Sequence, residues 1–164
     1  FWAVRNYRFG VRLDKIRFKP LRWFVRKFYG LNLFIIQITS GIRLYKETKI
    51  GEDLHLIHPG NILIDPKSEI GDRCGIQHDV TIGRNFGPGS PKIGNDVYIG
   101  AGAKVLGGIV IGDGATIAAN SLVIKDVPAG FTAMGVPART WNLPRRSNEE
   151  EAAESQESTG STDS

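Results

Sequence analysis

The sequence predicts a mainly β chain, a solenoid of short parallel strands, with an α-helical N-terminal region. Two observations carry this. Aliphatic residues recur every six positions in three unbroken phases: Leu44, Ile50, Leu56 and Ile62; Ile64, Ile70, Ile76 and Ile82; then Ile93, Ile99, Val105, Ile111, Ile117 and Val123. Glycine follows the aliphatic residue at 51, 71, 83, 94, 100 and 112. Neither a helix of 3.6 residues per turn nor a hairpin of period two repeats every six. A chain that turns a corner every six residues does. It stacks its aliphatic side chains inward and places glycine where backbone bends or approaches closely. Three hexads make a coil of about 18 residues, so residues 44 to 127 form roughly five coils, with ends that need covering.

Three regions follow in order. Residues 1–41 form the predicted helical region, basic and aromatic: residues 1–49 hold twelve Lys and Arg against Asp14 and Glu47. Trp23, Phe24, Lys27 and Phe28 have helical spacing, and Pro20 punctuates. Such a segment either covers the open end of the solenoid or forms a trimer contact, or else lies on an anionic membrane surface, and the residues favour neither side of that choice. Nucleic-acid binding is set aside, because no recognition motif accompanies the charge. Residues 42–140 form the solenoid, and residues 50–146 hold nine bases and nine acids. Residues 141–164 form a C-terminal segment with an acidic, low-complexity tail, predicted to be disordered.

Composition bounds the class. A hydrophobic share of 41% excludes wholesale disorder. No apolar run reaches the ~18 residues of a membrane span; Asn32 and Gln37 interrupt the longest, Leu31 to Ile38. A single cysteine, Cys74, excludes an intrachain disulfide and fits a reducing compartment. The expected location is cytoplasmic, at the inner face of the membrane if residues 1–40 bind lipid. The chain begins at Phe1, and no signal peptide is read from it.

The repeat breaks twice. The first slip is two residues, between Ile62 and Ile64, just after His58, Pro59, Gly60 and Asn61. The second lies between Ile82 and Ile93, where "RNFGPGSPK" (84–92) must leave the coil as a loop. Excursions on a rigid scaffold are where sites usually sit, and the two are expected to wall one cleft. His58 stands at the first slip. His78 follows 20 residues later, near one coil plus the slip, so the two are expected to stack. An imidazole titrating near ~6.5 takes a proton from a hydroxyl at neutral pH. Asn61, His78, Arg84 and Ser90 are the candidate lining of a substrate or donor cleft. His55 lies outside this constellation, and Cys74 falls at a coil position and reads as structural.

The segments 57–83 and 91–139, ending "GAGAKVLG…KDVPAG…GVPAR", resemble the hexapeptide-repeat acyltransferases. Within them the resemblance is to the serine acetyltransferase branch, which includes relatives that acetylate exopolysaccharide sugars. It implies a left-handed parallel β-helix (a hexapeptide-repeat solenoid), a homotrimer, acetyl-CoA as donor and no metal. It implies His58, in "IHPGNILI", as general base, and contact of Gly83, Ala101 and Ala119 with the cofactor. Gly102 is small enough to let that ligand approach, and Lys104, Lys125 and Arg139 are cations suited to its phosphates.

Three departures bear on the acceptor, which is a hydroxyl of a sugar or of serine. Serine-specific members carry Asp before the base and Asp 15 residues ahead of it, where this chain has Ile57 and Arg43. Their loop carries an Arg-His pair for the serine carboxylate, where this chain has Gly89 and Ser90. A zwitterion needs paired charges of both signs, so a polysaccharide sugar is the expected acceptor, with serine as the alternative. A non-catalytic scaffold is the alternative of another class. The three-histidine zinc site of γ-class carbonic anhydrases does not fit the spacing of His55, His58 and His78.

Overall fold

The computed structural model describes residues 2–13 and 17–143, and the acidic tail lies outside the described residues. Two helices, α1 (Trp2–Leu13) and α2 (Lys19–Ser40), precede fifteen short strands. The strands run β1 (Ile42–Arg43), β2 (Lys49–Ile50), β3 (His55–Leu56), β4 (Ile62–Ile64), β5 (Glu69–Ile70), β6 (Gly75–Ile76), β7 (Thr81–Gly83) and β8 (Lys92–Ile93). They continue as β9 (Tyr98–Ile99), β10 (Lys104–Leu106), β11 (Val110–Ile111), β12 (Thr116–Ile117), β13 (Leu122–Val123), β14 (Thr132–Gly135) and β15 (Ala138–Trp141). Every third strand shares a sheet. Face A is β1-β4-β7-β10-β13, face B is β2-β5-β8-β11, and face C is β3-β6-β9-β12-β14 with β15 added antiparallel. The result is a parallel β-solenoid of about five coils, mainly β, with the two helices at its N-terminal end.

The hexad aliphatics point inward as expected, and Ile64, Ile76, Ile82, Ile99, Val105, Ile111 and Ile117 are fully buried. A second inward position lies four residues after most of the aliphatics: Thr48, Leu54, Ser68, Cys74, Val80, Val97, Ala103, Ile109, Ala115 and Ser121 are all buried. This relocates the first slip. Ile62 pairs with Ile42, and Ile64 pairs with Ile82. Ile62 therefore fills the second position, and the main series passes from Leu56 to Ile64. The two extra residues belong to the corner at 57–61, which contains His58. The second slip matches the sequence: Glu69 pairs with Lys92, carrying the loop between them.

Corner chemistry explains the polar residues between strands. Asp53, Arg73, Asp96, Gly114 and Gly130 take left-handed backbone at successive B-to-C corners. Aspartate, asparagine and glycine tolerate that region best. Neighbouring coils are tied by side chains there: Asp72 Oδ1 accepts from the Glu52 N–H at 2.6 Å, and Asn95 Oδ1 accepts from the Asp72 N–H at 2.9 Å.

The first coil is covered by α1. Ala3 and Tyr7 join the core, the Tyr7 hydroxyl donates to the Thr48 carbonyl at 2.6 Å, and Arg8 Nη1 donates to the Ile50 carbonyl at 3.0 Å. Helix α2 opens with Pro20 in its first turn and ends at Gly41, whose left-handed φ of 68° lets its N–H donate to the Gln37 carbonyl at 3.0 Å. In α2 only Ile36 is buried. Helix α1 thus covers the first coil, and of α2 only Ile36 reaches the core. No helix among the described residues is long and apolar enough to cross a membrane.

Candidate active site

The lengthened corner leads from face C to face A, and its counterparts in later coils are residues 77–79, 100–102 and 118–120. His58 is exposed on it and His78 is half-buried in the coil beside it. Their ring centroids lie 6.0 Å apart, edge to face. Gly60 keeps this approach open, since a Cβ there would meet the His78 Cβ at 2.7 Å. The next coils continue the column: the Gly102 N–H donates to the His78 carbonyl at 3.0 Å, and the Asn120 N–H donates to the Ala101 carbonyl at 2.8 Å. His58, His78, Ala101, Gly102 and Ala119 therefore share one edge, histidines first and small residues after. The Nδ1 atom of His78 is buried there without a hydrogen-bond partner, as a ligand-facing polar atom would be.

Asn61 ends the same corner, and its Nδ2 donates to Asp79 Oδ1 at 3.3 Å. Lys104 stands outward on β10 and its Nζ donates to the Asp79 carbonyl at 2.5 Å. These residues share a cavity of about 440 Å³ with Gln37, Arg43 and Thr81. With its amide turned to accept, Gln37 receives Arg43 Nε at 2.8 Å and Nη2 at 3.0 Å. Asn61 and Lys104 are candidates from the sequence, but the cavity that joins them to Gln37, Arg43 and Asp79 is not announced there. The one signal was register: Arg43, Leu63, Thr81 and Lys104 occupy successive outward positions of face A.

The second excursion stands elsewhere. Gly83 ends β7, so Arg84 and Ser90 leave face A at its far edge, towards face B. The expectation of one cleft walled by both slips within a single chain is therefore corrected: a whole strand of face A separates them. Lys125 lies on that far edge and Arg139 on the exposed terminal hairpin, so neither joins the histidine column.

The loop is nonetheless pinned. Ser90 Oγ donates to Asp65 Oδ2 at 2.8 Å and Arg84 Nε pairs with Asp65 Oδ1 at 3.3 Å. Burial works against the Asp65 charge, but bonds from Ser90 and the Lys67 N–H, with Arg84 beside it, outweigh burial and hold the carboxyl below its ordinary 3.8. A depressed folded value stabilises above the unfolded one and is lost as pH falls through the folded one. The protection factors of amides in residues 84–90, that is, exchange relative to the intrinsic rate at each pH, are therefore expected to hold at neutral pH and to fall as pH drops below about 4. Asp65→Ala is expected to exchange fast at both ends of that range; a loop equally protected in the variant would contradict the anchor.

Other candidates are inert. Burial pushes the Cys74 thiol up, and its Sγ lies 3.1 Å from the Gly94 carbonyl, so it fills a core position. His55 is exposed on face C. Among the described residues no group of His, Cys, Asp and Glu is placed to hold a metal ion.

The family pattern described as "Bacterial transferase hexapeptide (six repeats)" matches residues 90–125. A serine acetyltransferase of Helicobacter pylori (strain J99 / ATCC 700824) is 40% identical over 126 residues, covering 73% of this chain and 74% of that protein. Among solved structures, Brucella abortus serine acetyltransferase in complex with coenzyme A has a TM-score of 0.71 at 32% identity, covering 84% of this chain and 54% of that one. Neisseria gonorrhoeae serine acetyltransferase in complex with serine has a TM-score of 0.69 at 33% identity, with coverages of 84% and 54%. The chain thus spans just over half the length of these structures. With its solenoid and its histidine corner, and with 40% identity across most of the H. pylori protein, the chain belongs to the serine acetyltransferase family.

Proposed function

We propose that this chain transfers the acetyl group of acetyl-CoA to the hydroxyl of serine, with His58 as general base. The observation that carries the proposal is the lengthened corner, which sets His58 against His78 at the head of a column of small residues. His58 takes the proton of the acceptor hydroxyl as its oxygen attacks the thioester carbonyl. The tetrahedral intermediate then expels the CoA thiolate, which receives that proton back from the imidazolium. Holding both substrates at one edge makes the attack effectively unimolecular. The donor's arm is assigned to the edge of Ala101, Gly102 and Ala119, where His78 Nδ1 awaits a polar partner, and Lys104 stands beside it for a phosphate.

The acceptor reading moves from sugar to serine on two grounds. Relatives named as serine acetyltransferases match most of the chain, and one was solved with serine. The paired charges that a zwitterion needs have counterparts in the face A cavity. Arg43 suits a carboxylate, and the Asp79 carboxylate suits an ammonium. A homotrimer, which the family resemblance implies, is part of the proposal: the Arg84–Ser90 edge and the His58 edge stand on different corners of one chain, so only a neighbouring copy could bring two such edges together.

One observation favours the sugar as a second reading: Ile57 and Ser90 stand where serine-specific members carry charged or imidazole groups. An acceptor screen decides. CoA thiol release is followed with free serine, serine methyl ester and neutral oligosaccharides as acceptors. Serine is expected to turn over, and Arg43→Ala is expected to raise its KM roughly 10-fold or more, the loss of a charged hydrogen bond. Turnover with oligosaccharide alone would replace serine by sugar, and none with any acceptor would remove the transferase reading.

A further inference from the structure

Helix α2 presents an apolar face that nothing in the described chain covers. Leu21, Phe24, Phe28, Leu31, Ile35 and Ile38 follow one another at spacings of three and four, so they fall within an arc of about 100° along the whole helix. Each is at least half exposed, and the exposed Trp23 and Phe34 widen the stripe on one side. The other side is occupied, since Tyr29 packs on Phe9 of α1 and Ile36 enters the core. Water-facing side chains of this size are not left in such a run without a partner.

The charges say which partner. Lys19, Arg22, Arg26 and Lys27 all lie in the first half of α2, preceded by Arg17 and by Arg5, Arg8 and Arg12 of α1. Residues 2–13 and 17–40 contain no aspartate or glutamate. Lys27 lies over the Trp23 ring with its Nζ 5.9 Å from the centroid, within the stripe's wider side. Long cationic side chains beside aromatic ones are what a helix lying in a headgroup layer carries: the rings enter the acyl boundary and the cations reach the phosphates. The helix is too polar to span a bilayer, so it would lie flat.

A second copy of α2 is the other surface that a stripe with this spacing fits. Lys27 opposes that: it borders the stripe, so pairing two stripes brings it towards a partner helix that carries no acidic residue to complement it. We infer that the α2 face is a docking surface for an anionic phospholipid bilayer, holding the solenoid at the membrane.

The test uses the full chain and large vesicles of phosphatidylcholine, with and without about one-third phosphatidylglycerol, separated by sedimentation. Binding is expected on the anionic vesicles, at least 10-fold weaker on neutral ones and at high salt, as screening requires. Phe24→Glu/Phe28→Glu/Leu31→Glu is expected to lose that binding while CoA thiol release with a soluble acceptor is unchanged, showing an intact solenoid. Lys19→Glu/Arg22→Glu/Arg26→Glu, which leaves the stripe untouched, is expected to lose it as well. Absence of wild-type binding would overturn the inference, as would equal binding to neutral vesicles. If the triple glutamate stripe variant lowers the oligomeric state in light scattering and vesicle binding is absent, the face belongs to a second copy instead.

Discussion

His58→Ala is expected to lower kcat by roughly 10²- to 10⁴-fold, the range that a positioned general base contributes. Acetyl-CoA binding, followed by calorimetry, is expected to change little, because the small residues assigned to the donor lie in the coils beyond. The variant is safe to make: His58 is exposed on a corner and contributes nothing to the core. The neighbouring histidine makes the test discriminating. His78 lies one coil away, with its ring 6.0 Å from that of His58. Were His78 the base, His78→Ala would carry the large loss in kcat and His58→Ala only a small one. With His58 as base, His78→Ala acts chiefly on the KM of the donor. His55→Ala serves as the control, since that side chain is exposed on face C and is expected to leave both constants unchanged. Full turnover by His58→Ala would remove the proposed mechanism.

The hexad aliphatics could be read from the sequence because period six has no competing explanation and their slot accepts only Ile, Leu or Val. The second inward slot could not. It holds Thr48, Ser68, Cys74, Ala103, Ala115 and Ser121 beside Leu54 and Val80, a mixture without hydropathic signature. The slot takes side chains from alanine to isoleucine, so an isoleucine at position 62 does not announce which series it belongs to, and the slip lies a few residues earlier than the spacing implies. The histidine stack was legible because a spacing of 20 is one coil of 18 lengthened by two. The Asp65 anchor was not: Ser90 lies 25 positions on, and nothing local to either residue announces the bond. Arg43 was read only as a missing aspartate. Its meeting with Gln37 depends on how α2 turns into β1 at Gly41, which is tertiary information. The sequence also located both excursions without saying which edge of the prism each occupies.

Gly71→Ala is expected to destabilise the solenoid by about 2–3 kcal/mol, as overfilling a packed position does. The residue looks replaceable, since its φ lies outside the left-handed region. The obstacle is distance. A Cβ on Gly71 would lie 2.6 Å from the Gly94 carbonyl oxygen and 2.7 Å from its carbon, and one on Gly51 would meet the Gly71 carbonyl carbon and oxygen at 2.6 and 2.7 Å. Asn95 Oδ1, also 2.6 Å from the Gly71 Cβ position, can turn aside, but the backbone of the next coil cannot. The coils must separate locally, weakening the bonds that run from the Gly71 N–H to the Ile93 carbonyl at 2.9 Å and from the Gly75 N–H to the Val97 carbonyl at 2.9 Å. In a solenoid each coil is stabilised mainly by its neighbours, so the loss falls on the interface between the second and third coils. The unfolding midpoint in urea is expected to drop, and amides of residues 42–70 to lose exchange protection before those of residues 98–123. Gly30→Ala is the matched control: a Cβ there meets nothing within 4 Å, and Gly30 lies inside α2. It is expected to be neutral or to stabilise by about 0.5–1 kcal/mol through helix propensity. Equal stability of the two variants would mean that the stacked coils leave room for a Cβ and that their close approach does not require glycine at position 71.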